Sequence, residues 1–170
     1  MTRDRDPAGR PRNARPRDAL GRPLDRSAAE AGQATVPDDL PITGPDAARL
    51  ADQLLREGRP FHAHEVLEAA WKSAPPSERD LWQGLAQIAV GLTHARRGNA
   101  RGAVALLRRG AQRVRAYQDQ PGPASGPVRD QPYGMDIPAV LAAADDLAAR
   151  IERHGLGGLP PVGLTPRLLA

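Results

Sequence analysis

Asp80-Leu81-Trp82-Gln83-Gly84-Leu85-Ala86-Gln87-Ile88-Ala89-Val90-Gly91-Leu92 is the most apolar stretch of the chain, and its spacing is that of a helix. Leu81, Leu85, Ile88 and Leu92 recur at i, i+4, i+7 and i+11, one continuous apolar face. A half-buried strand would need strict alternation, which is missing. The pattern predicts a helix over 78–97, bounded upstream by Pro75-Pro76, with Ser77 and Asp80 as a capping pair.

Working outward, the same period returns on both sides. Thr43, followed three residues later by Asp46 and with Pro45 in the first turn, opens a first helix. Leu50, Leu54 and Leu55 supply its apolar face, and Gly58 closes it. A second helix runs over 60–73. After Gly98-Asn99 a fourth spans 100–117 on Ala103, Leu106, Leu107 and Val114. Asp136 caps a fifth, 137–154, whose inward positions are Val140, Leu141, Ala144, Leu147, Ala148 and Ile151; Gly155 ends it. The expectation is an all-α domain of about five helices in stacked hairpins. Residues 1–42 form a disordered Arg/Pro-rich tail, 43–118 a four-helix core, 119–135 a Pro/Gly linker, and 136–170 a C-terminal helix with an extended tail docking on the core.

A faint repeat supports the hairpins. Residues 57–70 align with 97–110, so Ala63 matches Ala103, Val66 matches Leu106 and Leu67 matches Leu107. Small residues at matched positions let consecutive helices approach. In this alignment His64 falls on Val104 and Glu68 on Arg108, so the first unit carries polar groups where the second packs.

Composition narrows the chemistry. With 170 residues, 3% aromatics, 18 Pro and 17 Gly, the core is assembled from Ala, Leu and Val. No cysteine means no disulfide, iron–sulfur cluster or thiolate metal site. Any metal ion would need His, Asp or Glu. The start, Met1-Thr2-Arg3-Asp4-Arg5-Asp6, has no apolar signal region, and no apolar run reaches membrane-spanning length, so a cytoplasmic chain off the membrane is expected. The net charge of +4 comes from arginines nearly balanced by acids, with Lys72 the only lysine. That is a mixed-charge solvated surface, Arg108, Arg109, Arg113 and Arg115 included, and no nucleic-acid site is assigned.

Within the second helix, His64-Glu65-Val66-Leu67-Glu68-Ala69-Ala70-Trp71 places an imidazole, a carboxylate and an indole at i, i+4 and i+7. Three apolar residues would be ordinary there. Gly84, Gln87, Gly91 and His94 make a second small-and-polar stripe on the third helix, and the two are expected to face each other. One reading is a divalent metal site on His64, Glu68 and His94, with Glu65, Trp71, Gln83 and Gln87 in support. A second is a buried His64–Glu68 hydrogen-bonded pair steadying Trp71. A third is acid–base chemistry, which lacks any accompanying nucleophile motif. A groove lined by Phe61, Trp71 and Trp82 is a fourth. His62 is expected to point to solvent, and His154 to sit at the negative end of its helix dipole.

His64-x-x-x-Glu68-x-x-Trp71 resembles the HxxxExxW signature of the family known as domain of unknown function 309. The likeness extends to Gln83-Gly84-Leu85-Ala86-Gln87-Ile88-Ala89, to His94 and to Gly98-Asn99, over residues 46–117, with the fifth helix and Pro-Pro tail similar to the family's C-terminal extension. The resemblance implies an all-helical fold, no established activity, and a suggested metal site falling on His64 and Glu68. Two functions follow as expectations: a divalent-metal-binding domain, or a non-enzymatic helical interaction module with a structural stripe. The reaction, the partner and any homo-oligomer are left open.

Overall fold

The computed structural model describes residues 17–18, 21–22, 24, 41–121, 129–157 and 167–169. Five α-helices lie among them: α1 (Gly44–Arg56), α2 (Pro60–Ser73), α3 (Arg79–Arg96), α4 (Ala100–Gln118) and α5 (Ile137–His154). Each helix packs chiefly against its neighbours in sequence, so the all-α hairpin architecture stands. An isolated β-bridge pairs Met135 with Leu169.

The helix ends follow local chemistry. Thr43 accepts the Asp46 N–H at 3.4 Å, and Asp46 accepts the Thr43 hydroxyl at 2.6 Å, a reciprocal cap. Asp136 accepts the Ala139 N–H at 3.0 Å to start α5. Gly58 and Gly98 both adopt positive φ, +70° and +82°. At each, the following N–H reaches back five residues: Arg59 to Leu54 at 2.8 Å, and Asn99 to His94 at 2.9 Å. The two hairpins thus turn by the same left-handed cap, as the repeat implies. Ala63 and Ala103 are both fully buried, as are Leu67 and Leu107, whereas Leu106 is half-buried.

Ser77 does not cap α3. Residues Pro76–Glu78 form a 3-10 turn, Glu78 occupies the cap position without a side-chain bond, and Asp80 pairs with Arg113 of α4 at 2.9 Å. Nor do the α3 glycines face the stripe on α2. A Cβ on Gly84 would lie 2.8 Å from the Gly110 carbonyl, and one on Gly110 would lie 2.7 Å from the Gly84 carbonyl. Gly91 likewise abuts Leu107 and Ala103. These glycines admit the backbone of α4.

The chain downstream of α4 closes the ends of the stack. Tyr133, at φ +57°, stacks on buried Trp82 with centroids 5.6 Å apart. Its hydroxyl donates to Glu78 at 2.7 Å, while Trp82 Nε1 donates to the same carboxylate at 3.1 Å. Burial first, then that hydrogen bond, pushes the phenol up to about 12. Leu168 is buried, and its N–H and that of Leu169 donate to Asp52 at 2.8 and 3.2 Å. Residues 167–169 therefore pack on the core at Asp52. The disordered-tail expectation for 1–42 falls mostly outside the described residues.

Candidate functional site

The stripe runs along the edge of α2 beside its buried face. Ala63, Val66, Leu67 and Ala70 fill the core, while His64, Glu65, Glu68 and Trp71 are half-buried. Trp71 packs against the core rim. His64 Nε2 lies 3.4 Å from Glu68 Oε2, and Lys72 Nζ lies 3.1 Å from Glu68 Oε1. One carboxylate thus lies between an imidazole at i−4 and an ammonium at i+4, a ladder that supports the helix. The side chains are 25% and 36% exposed at His64 and Glu68, so solvent tempers the pairing.

Burial holds the His64 imidazole below its ordinary 6.5; the Glu68 carboxylate opposes the shift and Lys72 adds to it. The ring is therefore neutral at pH 7, with Nδ1 buried and without a hydrogen-bond partner among the described residues. Gln83 and Gln87 are half-buried on α3, and Gln87 Oε1 also lacks a described partner.

His94 is engaged elsewhere. Asn99 Oδ1 accepts the Gly102 N–H at 2.9 Å, so its Nδ2 donates to His94 Nδ1 at 2.7 Å. That bond commits Nδ1 as an acceptor and fixes the proton on Nε2. Among the described residues no three His, Asp or Glu side chains group so as to hold a metal ion. The structure brings His64 and Glu68 together and leaves His94 with the α4 cap. A closed zinc site takes four ligands and a catalytic one at least three from the protein, so the donors here do not by themselves fit a resident ion.

Three positions depart from the sequence reading. Trp82 is buried beneath Tyr133, so Phe61, Trp71 and Trp82 do not share an open groove. The arginines of α4 are not simply solvated: Arg108 pairs with Glu152 at 2.5 Å, Arg113 with Asp80, and Arg115 with Asp145. His62 is fully buried, with both ring nitrogens unpartnered among the described residues. Phe61 meets it edge-on at 5.6 Å and His64 at 6.3 Å. Arg17 and Asp18, far upstream in the chain, lie near enough to bear on its charge, a proximity no local period reveals. Asp52 was equally hidden, although its place on the apolar face between Ala48 and Leu55 was a readable signal.

Burial first, then Arg59 and Arg17, lower the His62 pKa below 6.5, against Asp18. Both histidines then bind protons more readily unfolded than folded. Their stabilising contribution is complete above 6.5 and is lost as pH falls from 6.5 toward the folded-state values. Melting temperature is expected to drop between pH 7.5 and pH 5, and His62→Leu to flatten that slope. An unchanged slope in the variant would assign the acid sensitivity elsewhere.

A stack of helical hairpins with a His–Glu–Trp stripe on its second helix defines the class. Residues 49–106 match the model of the family described as domain of unknown function (DUF309), so the family resemblance holds over that segment. It covers α1 from Arg49 through the stripe and the Gly98 turn into α4, and leaves α5 outside. The uncharacterized protein YpuF of Bacillus subtilis (strain 168) is 48% identical over 48 residues, a stretch covering 28% of this chain and 28% of that relative. No solved structure matches the chain. No described helix is long and apolar enough to cross a membrane.

Proposed function

We propose that this chain is a non-enzymatic helical interaction module in which the His64–Glu68–Trp71 stripe is structural. The observation that carries the reading is the sharing of the Glu68 carboxylate between His64 and Lys72. The repeat agrees with it. Arg108, at the position of Glu68 in the second hairpin, ties α4 to Glu152 of α5. Val104, at the position of His64, lines an apolar groove of about 420 Å³ against Ile151. The second unit uses this edge to join α4 to α5, and the first uses it to tie successive turns of α2 together.

A double-mutant cycle on His64→Ala and Glu68→Ala tests the structural half. The expected coupling is about 0.5 kcal/mol, the size of an i, i+4 pair, and it is the same with and without a chelator. A His64→Ala variant as stable as the parent in chelator would contradict it. For the interaction half, a photoreactive side chain at Lys72, beside the stripe, is expected to capture a discrete protein in cells. The same group at exposed Arg109 is not; equal labelling at both positions would count against the module.

Divalent-metal binding is the second reading, favoured by one feature: a neutral imidazole and a carboxylate 3.4 Å apart are two donors in ligand form. The chain's own contribution would stop at those two atoms. Remaining ligands would come from water or a partner.

A further inference from the structure

Gly21 occupies a position that no other residue fits. Its φ is +73°, and a Cβ there would lie 2.2 to 2.7 Å from three atoms of the Phe61 ring. The backbone around it is closed on itself. The Gly21 N–H donates to the Asp18 carbonyl at 2.9 Å, and the Asp18 N–H donates to the Arg22 carbonyl at 3.0 Å. The Arg22 N–H donates to Asp18 Oδ1 at 2.8 Å, and Arg17 Nη1 to the Gly21 carbonyl at 2.6 Å. Gly21 and the Arg17 guanidinium of this turn meet the Phe61 ring of α2. That guanidinium lies over the Phe61 ring at 5.1 Å, with Arg97, the residue that follows α3, at 5.9 Å. Both are within cation–π range.

We infer that this N-terminal turn is a cis-acting cap: it seats on Phe61, seals His62, and closes the start of α2, beside His64, to any other ligand. The seat recognises an arginine flanking a glycine turn, and the chain supplies that ligand to itself. Phe61 is the common element, touching Gly21 on one side and both histidine rings on the other. The cap therefore controls access to the N-terminal end of the stripe whether the stripe is structural or ligates an ion.

The test uses the full chain and its Gly21→Val and Arg17→Ala variants. His62 is followed by NMR titration, and trypsin cleavage after Arg17 is timed. In Gly21→Val the His62 midpoint is expected to rise toward 6.5. Cleavage should accelerate about tenfold, tracking the opened population, while the melting temperature stays within about 2 °C. Arg17→Ala, which removes that cleavage site, should raise the His62 midpoint in the same direction by less. A synthetic peptide of residues 14–25, added to Gly21→Val, is expected to return the His62 midpoint to its parent value. Unchanged titration and cleavage in Gly21→Val would overturn the cap. So would a large fall in melting temperature, which would make Gly21 part of the core. A concentration-dependent His62 midpoint in the parent would overturn the cis assignment, because a second copy would then supply the turn. Failure of the peptide would overturn recognition by the seat.

Discussion

Gly110→Val is expected to destabilise the domain by about 3 kcal/mol, lowering the melting temperature by roughly 10 °C. Valine helps a helix over glycine by only a few tenths of a kcal/mol. Here that gain is overwhelmed, because the new Cβ would sit 2.7 Å from the Gly84 carbonyl and 2.9 Å from the Ile88 nitrogen. These are backbone atoms of α3, and no rotamer change moves them. Relief requires α3 and α4 to separate, which opens the contacts of Leu85, Ile88, Leu107 and Val114. Gly84→Val should cost a similar amount, and the double variant less than the sum, since both break one contact. Gly98→Ala is the control. It has nothing within 4 Å of its Cβ and a φ of +82°, so only backbone strain of about 1 kcal/mol is expected. Urea unfolding of the four variants measures this. Equal losses at Gly98 and Gly110 would show that strain, not helix approach, sets the requirement for glycine.

Asp52→Ala is the second large effect, expected at about 3 kcal/mol. The Asp52 side chain is buried and accepts the backbone N–H groups of Leu168 and Leu169. It also pairs with Arg56 at 2.6 Å. Alanine leaves two N–H groups and a guanidinium without their acceptor, at about 1–3 kcal/mol for each buried group left unmade. Tail release follows, exposing Leu168 and freeing the Met135–Leu169 bridge. Trypsin should then cut after Arg167 much faster. Asp52→Asn keeps one acceptor oxygen and should lose about half as much. A tail in Asp52→Ala as protected as in the parent would show that Leu168 holds it by burial alone.

The sequence carried most of the secondary structure because the boundaries of α1 and α5 and the two hairpin turns were written locally. Thr43 and Asp136 supply caps, Gly58, Gly98 and Gly155 supply positive φ, and the leucine periods name the buried faces. What it could not carry was which faces meet. Gly84 and Gly91 advertised a close approach, but their partner is the glycine and small residues of α4, not the polar stripe of α2. Ser77 looked like a cap because spacing alone cannot see the 3-10 turn imposed by the proline pair. His62 read as solvent-facing because the proximity of Arg17 and Asp18 is non-local. The His64–Glu68 pairing was legible, since i, i+4 fixes it within one helix. The assignment of His94 was not, because Asn99 and Gly102 decide it in three dimensions.

The central claim, that the stripe is a structural ladder, is tested most directly by thermal unfolding of chelator-stripped chain with added zinc, manganese, nickel or iron(II). An ion held by the native state at a hundred times its dissociation constant adds about 2.7 kcal/mol, a shift of several degrees. The prediction is no shift with any of the four, and a loss of a degree or two in His64→Ala that is the same with and without chelator. A rise of several degrees with one ion, abolished by His64→Ala, would contradict it.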